Sequence, residues 1–95
     1  MKIESTEIEI RGNWIFDGST MKTDKTTKRI EELIKTYLIE VSIAVNGWEK
    51  LFKDPNDKRY WELTYPESEM QGGGPPLLRN LSEFEVKQKY RDVVF

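Results

Sequence analysis

Apolar positions follow two different periods along this chain, and the period changes mark the elements. In IEIRGNWIFDG (8–18), Ile8 and Ile10 alternate with charges, which reads as extended chain until Gly12 breaks or bulges the run. Trp14 and Phe16 then share one side of a short strand, and Asp17-Gly18 signals a turn. A weaker strand is expected near Thr20 to Thr23. From Asp24 the period lengthens. Ile30, Leu33, Ile34 and Tyr37 recur at spacings of three and four, with Lys28, Glu31, Glu32 and Lys35 on the wet side, so KTTKRIEELIKTYL is predicted to be a helix. Asp24 or Thr26 is its N-cap, and Glu31 and Lys35 form an i,i+4 pair in the favourable order.

At Leu38 the period returns to two. Ile39, Val41, Ile43 and Val45 alternate with Leu38, Glu40, Ser42 and Ala44, and the β-branched residues favour a strand. Asn46-Gly47 is the strongest short hairpin signal, and DPNDK is a second turn, with Pro55 fixing its φ. WEKLFKD and RYWELTY become the next two strands, so 38–65 reads as a three-stranded antiparallel meander. In the last strand Trp61 and Leu63 are the expected core positions, while Glu62 and Thr64 are placed outward. Past QGGGPP, LLRNL is a further candidate strand. Ser82 and Glu85 then form a capping box opening a second helix, with Val86 and Tyr90 on one side. The expected fold is α+β: a small antiparallel sheet of four to five strands with two helices, in two layers, as one domain over 1–95.

Composition narrows the function classes. The chain has 95 residues and no cysteine, so disulfide and thiolate chemistry are excluded. Histidine is also absent, which removes the commonest general base and the commonest metal ligand. The net charge of −2 argues against a surface wholly given to nucleic acid and against a basic membrane-surface protein. No apolar run approaches the roughly 20 residues of a membrane span, and MKIESTEIEIRGNW does not read as a signal peptide. A cytoplasmic protein is therefore expected.

An enzyme would have to work with Arg59, Tyr60, Glu62, Tyr65, Glu67, Ser68 and Glu69, and these show no catalytic spacing. QGGGPP invites an anion-binding reading, but a phosphate loop needs Lys-Ser/Thr after its glycines, and here Pro75 and Pro76 bring no N–H donors. Asp54, Asp57, Glu67 and Glu69 lack an EF-hand spacing, so neither metal nor cofactor is expected. Two binding readings remain. One is a protein-binding module anchored by Tyr, Trp and Arg. The other is a nucleic-acid module, centred on the 48–65 hairpin, in which Trp14, Trp48, Tyr60, Trp61 and Tyr65 stack bases beside Lys50, Lys53, Lys58 and Arg59.

The run GWEKLFKDPNDKRYWELTYPESEMQGGGPPLLRNLSEFEVKQKY resembles the immunity protein 27 family of bacterial polymorphic toxin systems. GNWIFDG and KRIEELIKTYL look like that family's first strand and first helix, which extends the resemblance from Gly12 to Tyr90. One departure is Gln71, where the family would have a histidine. The resemblance implies a monomeric, non-enzymatic antidote of the contact-dependent inhibition type. Its partner would be the C-terminal domain of a cognate toxin, often a nuclease, whose active site or needed surface it blocks. Neither nucleic acid nor membrane is an expected partner. A basic toxin would be met by carboxylates, which makes Glu31, Glu32, Glu62, Glu67 and Glu69, with Ser68 and Gln71, the candidate partner-binding residues; Glu40 extends that acidic set. Trp14, Tyr60, Trp61, Leu63, Tyr65, Pro66, Gly72, Gly73, Gly74 and Pro75 are assigned to the structural motif. Whether PESEMQGGGPP is interface or scaffold stays open at this stage.

Overall fold

The computed structural model describes residues 2–16, 21–45, 47–66 and 74–93, with backbone alone at 14–16 and 21–23. Seven strands and two helices follow in the order β1 (Glu9–Arg11), β2 (Trp14–Phe16), β3 (Met21–Thr23), α1 (Lys25–Glu32), β4 (Ile39–Ile43), β5 (Lys50–Lys53), β6 (Tyr60–Thr64), β7 (Leu77–Leu81) and α2 (Glu83–Lys89). Five strands form one antiparallel sheet ordered β1-β7-β6-β5-β4, and β2 pairs with β3 in a separate hairpin. The α+β class, the 38–65 meander and the LLRNL strand agree with the sequence reading. The Asp17-Gly18 turn, Asn46, Glu67, Ser68, Glu69, Gln71, Gly72 and Gly73 lie outside the described residues, as does the side chain of Trp14.

Local chemistry explains the element ends. Asp24 caps α1, its carboxylate accepting the Thr27 N–H at 2.7 Å. After Glu32 the helix widens into a π-helical turn (Leu33–Tyr37) closed by the Leu38 N–H on the Leu33 carbonyl at 2.7 Å. The Thr36 hydroxyl donates to the Glu32 carbonyl at 2.8 Å within that turn. The helix therefore stops at Tyr37, and β4 begins two residues later. At α2 the capping box is complete: Ser82 Oγ accepts the Glu85 N–H and Glu85 Oε1 accepts the Ser82 N–H.

The two-layer expectation is corrected by the packing. Ile30 and Leu33 from the first helical segment join Phe52, Trp61, Leu63 and Leu78 in one core on one face of the sheet. Val86 and Tyr90 join Leu51, Tyr60 and Leu81 in a second core on the other face. The helices thus cover opposite faces, giving helix, sheet and helix. Strand β6 is the middle strand, and both of its sides are buried over Tyr60–Leu63.

The N-terminal segment is fastened by arginines. Arg59 donates to the carbonyls of Glu7 (2.6 Å) and Glu4 (2.9 Å) and to Asp57 (2.7 Å). Arg29 makes two 2.7 Å bonds to the Glu7 carboxylate, and these hold the Glu7 pKa down at about 2. The DPNDK turn is organised by buried Asp54, whose Oδ1 accepts from the Tyr37 hydroxyl and the Asn56 N–H, both at 2.7 Å. Burial, reinforced by that bond to Asp54, pushes the Tyr37 phenol up to about 12.

Candidate partner-binding surface

Strand β4 is an edge of the five-stranded sheet, and its apolar side chains are not covered. Leu38, Ser42 and Ala44 point inward and are buried, while Ile39 (56 %), Val41, Ile43 (50 %) and Val45 are exposed. Trp48, just past the turn, is 71 % exposed. Among the described residues seven large apolar side chains are exposed, and five of them fall between Ile39 and Trp48. Scattered exposed apolar residues are ordinary, but their concentration along one strand and its turn makes that edge a candidate interaction surface. A β-bulge lies between Glu40 and Ser42, so Ile39 stands opposite Lys53 and Ile43 opposite Lys50.

Beside this edge, on the Trp61 face of the sheet, lies a groove of about 230 Å³. Phe52 and Leu63 line it from the sheet, Ile34 from the π-helical turn, and Trp48 and Tyr65 add aromatic walls. Glu40 and Lys50 complete the lining and pair with each other at 3.7 Å. The groove thus offers aromatic and aliphatic surface, with its two charges already partnered. That is the make-up of an anchor pocket for a protein side chain rather than of a catalytic site.

Of the residues expected to meet a partner, Glu31, Glu32 and Glu62 are among the described ones. Glu31 and Glu32 are exposed on α1, as the helical period predicted. Glu67, Ser68, Glu69 and Gln71 fall outside the described residues. Glu62 is corrected: it is 2 % exposed instead of solvated. Alternation put it opposite Trp61 correctly, but α2 covers that second face. Its Oε2 accepts the Tyr90 hydroxyl and the Lys89 ammonium, both at 2.7 Å, and Lys89 also reaches Glu49 at 2.8 Å. Burial works against the charge on Lys89, yet the bonds to Glu49 and Glu62 keep its pKa raised. Burial and the bond to Glu62 raise the Tyr90 phenol as well. Glu62 is a buried brace between β6 and α2, inaccessible to a partner.

The described end of the glycine-proline motif packs against the Gly12 segment. Gly74, Pro75 and Pro76 are buried, and Gly74 has φ +74°. The Pro76 carbonyl accepts the Gly12 N–H at 2.9 Å where the two segments cross. A Cβ at Gly12 would lie 2.5 Å from Thr27 Oγ1 and 3.0 Å from the Pro76 carbonyl oxygen, so the crossing requires glycine. A second, polar hollow of about 280 Å³ opens there, lined by Arg11, Asn13, Asp24, Pro66 and Pro75. Trp61 and Leu63 are core as predicted, Tyr60 is buried as well, Tyr65 is half-buried, and Pro66 is exposed. Burial of Tyr60 and Trp61 removes two of the five aromatics that base stacking would use, and the side chain of a third, Trp14, lies outside the described residues.

The family model for immunity protein 27 matches residues 16–82. The chain belongs to the immunity protein 27 family. No significant match was found among curated proteins or among solved structures. The family span includes β4, Trp48 and the whole groove, whereas β1 and α2, with Lys89 and Tyr90, lie outside it. The sequence reading named Trp48 only as a base-stacking candidate, and it did not single out Ile39 and Ile43 as site residues. Their signal was present as β-branched residues at period two, but the period does not tell which side of a strand is covered.

Proposed function

We propose that this immunity protein acts as a non-enzymatic antidote in the cytoplasm, binding the C-terminal domain of one cognate toxin and occluding its active site or a surface it needs. The observation that carries this reading is the cluster of exposed apolar residues from Ile39 to Trp48, lying within the span matched by the family. Exposed Trp beside a groove is the kind of anchor from which tight protein–protein interfaces are built. A nuclease toxin, basic where it meets nucleic acid, suits a chain of net charge −2 with Glu31 and Glu32 exposed on α1. In such a complex the apolar edge supplies affinity and the carboxylates speed the encounter.

The test is co-expression with the toxin C-terminal domain encoded in the adjacent upstream reading frame. Growth is rescued, and the two chains co-purify, if the reading is right. Toxicity without rescue or complex contradicts it.

A further inference from the structure

We infer that the free edge of β4 takes an extended strand of the toxin domain, which continues the sheet and seats an apolar or aromatic side chain in the groove between Trp48 and Tyr65. The inference rests on the proposed antidote reading and specifies its contact.

Main-chain geometry leaves Ile43 available for such pairing. The Ala44 N–H donates to the carbonyl of Glu49, the residue before β5, at 2.7 Å, so the N–H of Ala44 is directed to the β5 side. Antiparallel strands alternate the direction of these groups, which turns the N–H and carbonyl of Ile43 outward. Among the described residues no strand lies beyond β4. Sheet edges are normally guarded by charge, proline or bulges. β4 carries such a bulge between Glu40 and Ser42, which leaves Ile43, beyond the bulge, as the part of the edge open to pairing; Glu40 is the one charged residue of β4, and it is paired with Lys50. The side chain of Ile43 stands opposite Lys50 and shares its face with the groove. A strand laid along this edge would gain main-chain bonds from β4 and side-chain specificity from the groove, the two components of strand addition.

A second copy of this chain fits the edge poorly. Ile39 lies opposite Lys53 and Ile43 opposite Lys50, three residues apart on β5, so the two isoleucines are on opposite faces. A two-fold axis at Val41 would set them directly opposite each other, where antiparallel partners must share a face. A two-fold at Ile43 would pair Val41 with Val45, which sits in the turn closed by the Gly47 N–H on the Ala44 carbonyl at 2.8 Å. Pairing about either axis is therefore disfavoured, whereas a different chain can pair at Ile43 without spanning the bulge. Because Glu40 and Lys50 already satisfy each other, the incoming segment is expected to be uncharged where it crosses them.

Binding of the same toxin domain is measured for the wild type, Ile43→Pro and Ile43→Ala. Proline removes the outward N–H and is tolerated on an edge; alanine keeps that N–H and removes most of the side chain. Ile43→Pro, with an unchanged melting curve, is expected to weaken binding at least about tenfold more than Ile43→Ala does. Equal affinities of the two variants, or wild-type affinity of Ile43→Pro, would overturn the strand-addition inference and leave the antidote reading intact. Failure of the wild type to bind the toxin domain would remove both. Amide exchange supplies a readout that does not depend on the proline variant folding: the Ile43 N–H of the wild type is protected in the complex and exchanges faster in the free protein. Unchanged protection overturns the inference, as does concentration-dependent self-association abolished by Ile43→Pro, which would assign the edge to a second copy.

Discussion

At Glu62 a carboxylate sits in the middle of the sheet and is held by donors from another element. The Tyr90 hydroxyl and the Lys89 ammonium both approach its Oε2, and Arg79 stands opposite it on β7. A hydrogen bond to a charged acceptor contributes more than a neutral one, so Tyr90→Phe is expected to cost about 1.5–3 kcal/mol. Urea unfolding would show this as a lower midpoint at unchanged slope. Toxin binding should be unaffected, because the brace lies inside the molecule. An unchanged midpoint would mean that Tyr90 contributes by packing alone. The Glu7–Arg29 pair makes a pH prediction. The Glu7 pKa is lowered from 4.5 to about 2, so its contribution is present above the unfolded value and is lost as pH falls towards about 2. The melting temperature should drop across that window, and Arg29→Met should be less stable at neutral pH with a shallower acid response. A response identical to wild type would exclude Glu7 as a source of acid sensitivity.

Among the elements, two glycines illustrate different needs. Gly12 lies at a crossing with no room for a side chain, and part of the obstacle is backbone. Gly12→Ala should therefore destabilise by about 1–3 kcal/mol through forced displacement. Gly47 has φ +77° with open space around its Cβ position, so Gly47→Ala should cost only about 1 kcal/mol of backbone strain. Thermal melts of the two variants check the order, and a Gly12→Ala variant no less stable than Gly47→Ala would contradict it. The elements themselves were largely legible in the residues: the apolar stripe of α1, the capping box at Ser82 and the strand residues 60–64 all appear where periodicity placed them. The π-helical turn was not legible, because spacings of three and four at Ile30, Leu33, Ile34 and Tyr37 do not distinguish it from a continuing α-helix.

For the whole molecule, the residues identified the strands without their order in space. Once β6 lies in the middle with a helix on either face, alternation no longer separates inside from outside, and Glu62 becomes buried. Once β4 lies at the edge, the same β-branched pattern that elsewhere builds core becomes exposed surface. Both outcomes depend on topology, and for that reason the candidate site was less legible than the fold. The arrangement that results is three layers with an apolar edge at β4 among the described residues, which suits a protein that works by binding. The most direct measurement is the affinity of the toxin C-terminal domain for wild type, for Trp48→Ala with Ile43→Asp, and for Glu31→Lys with Glu32→Lys. The account predicts that the first pair of substitutions abolishes the complex while the protein stays folded, and that the second mainly slows association at low salt. Full affinity after loss of Trp48 and Ile43 would contradict it and place the toxin on another face.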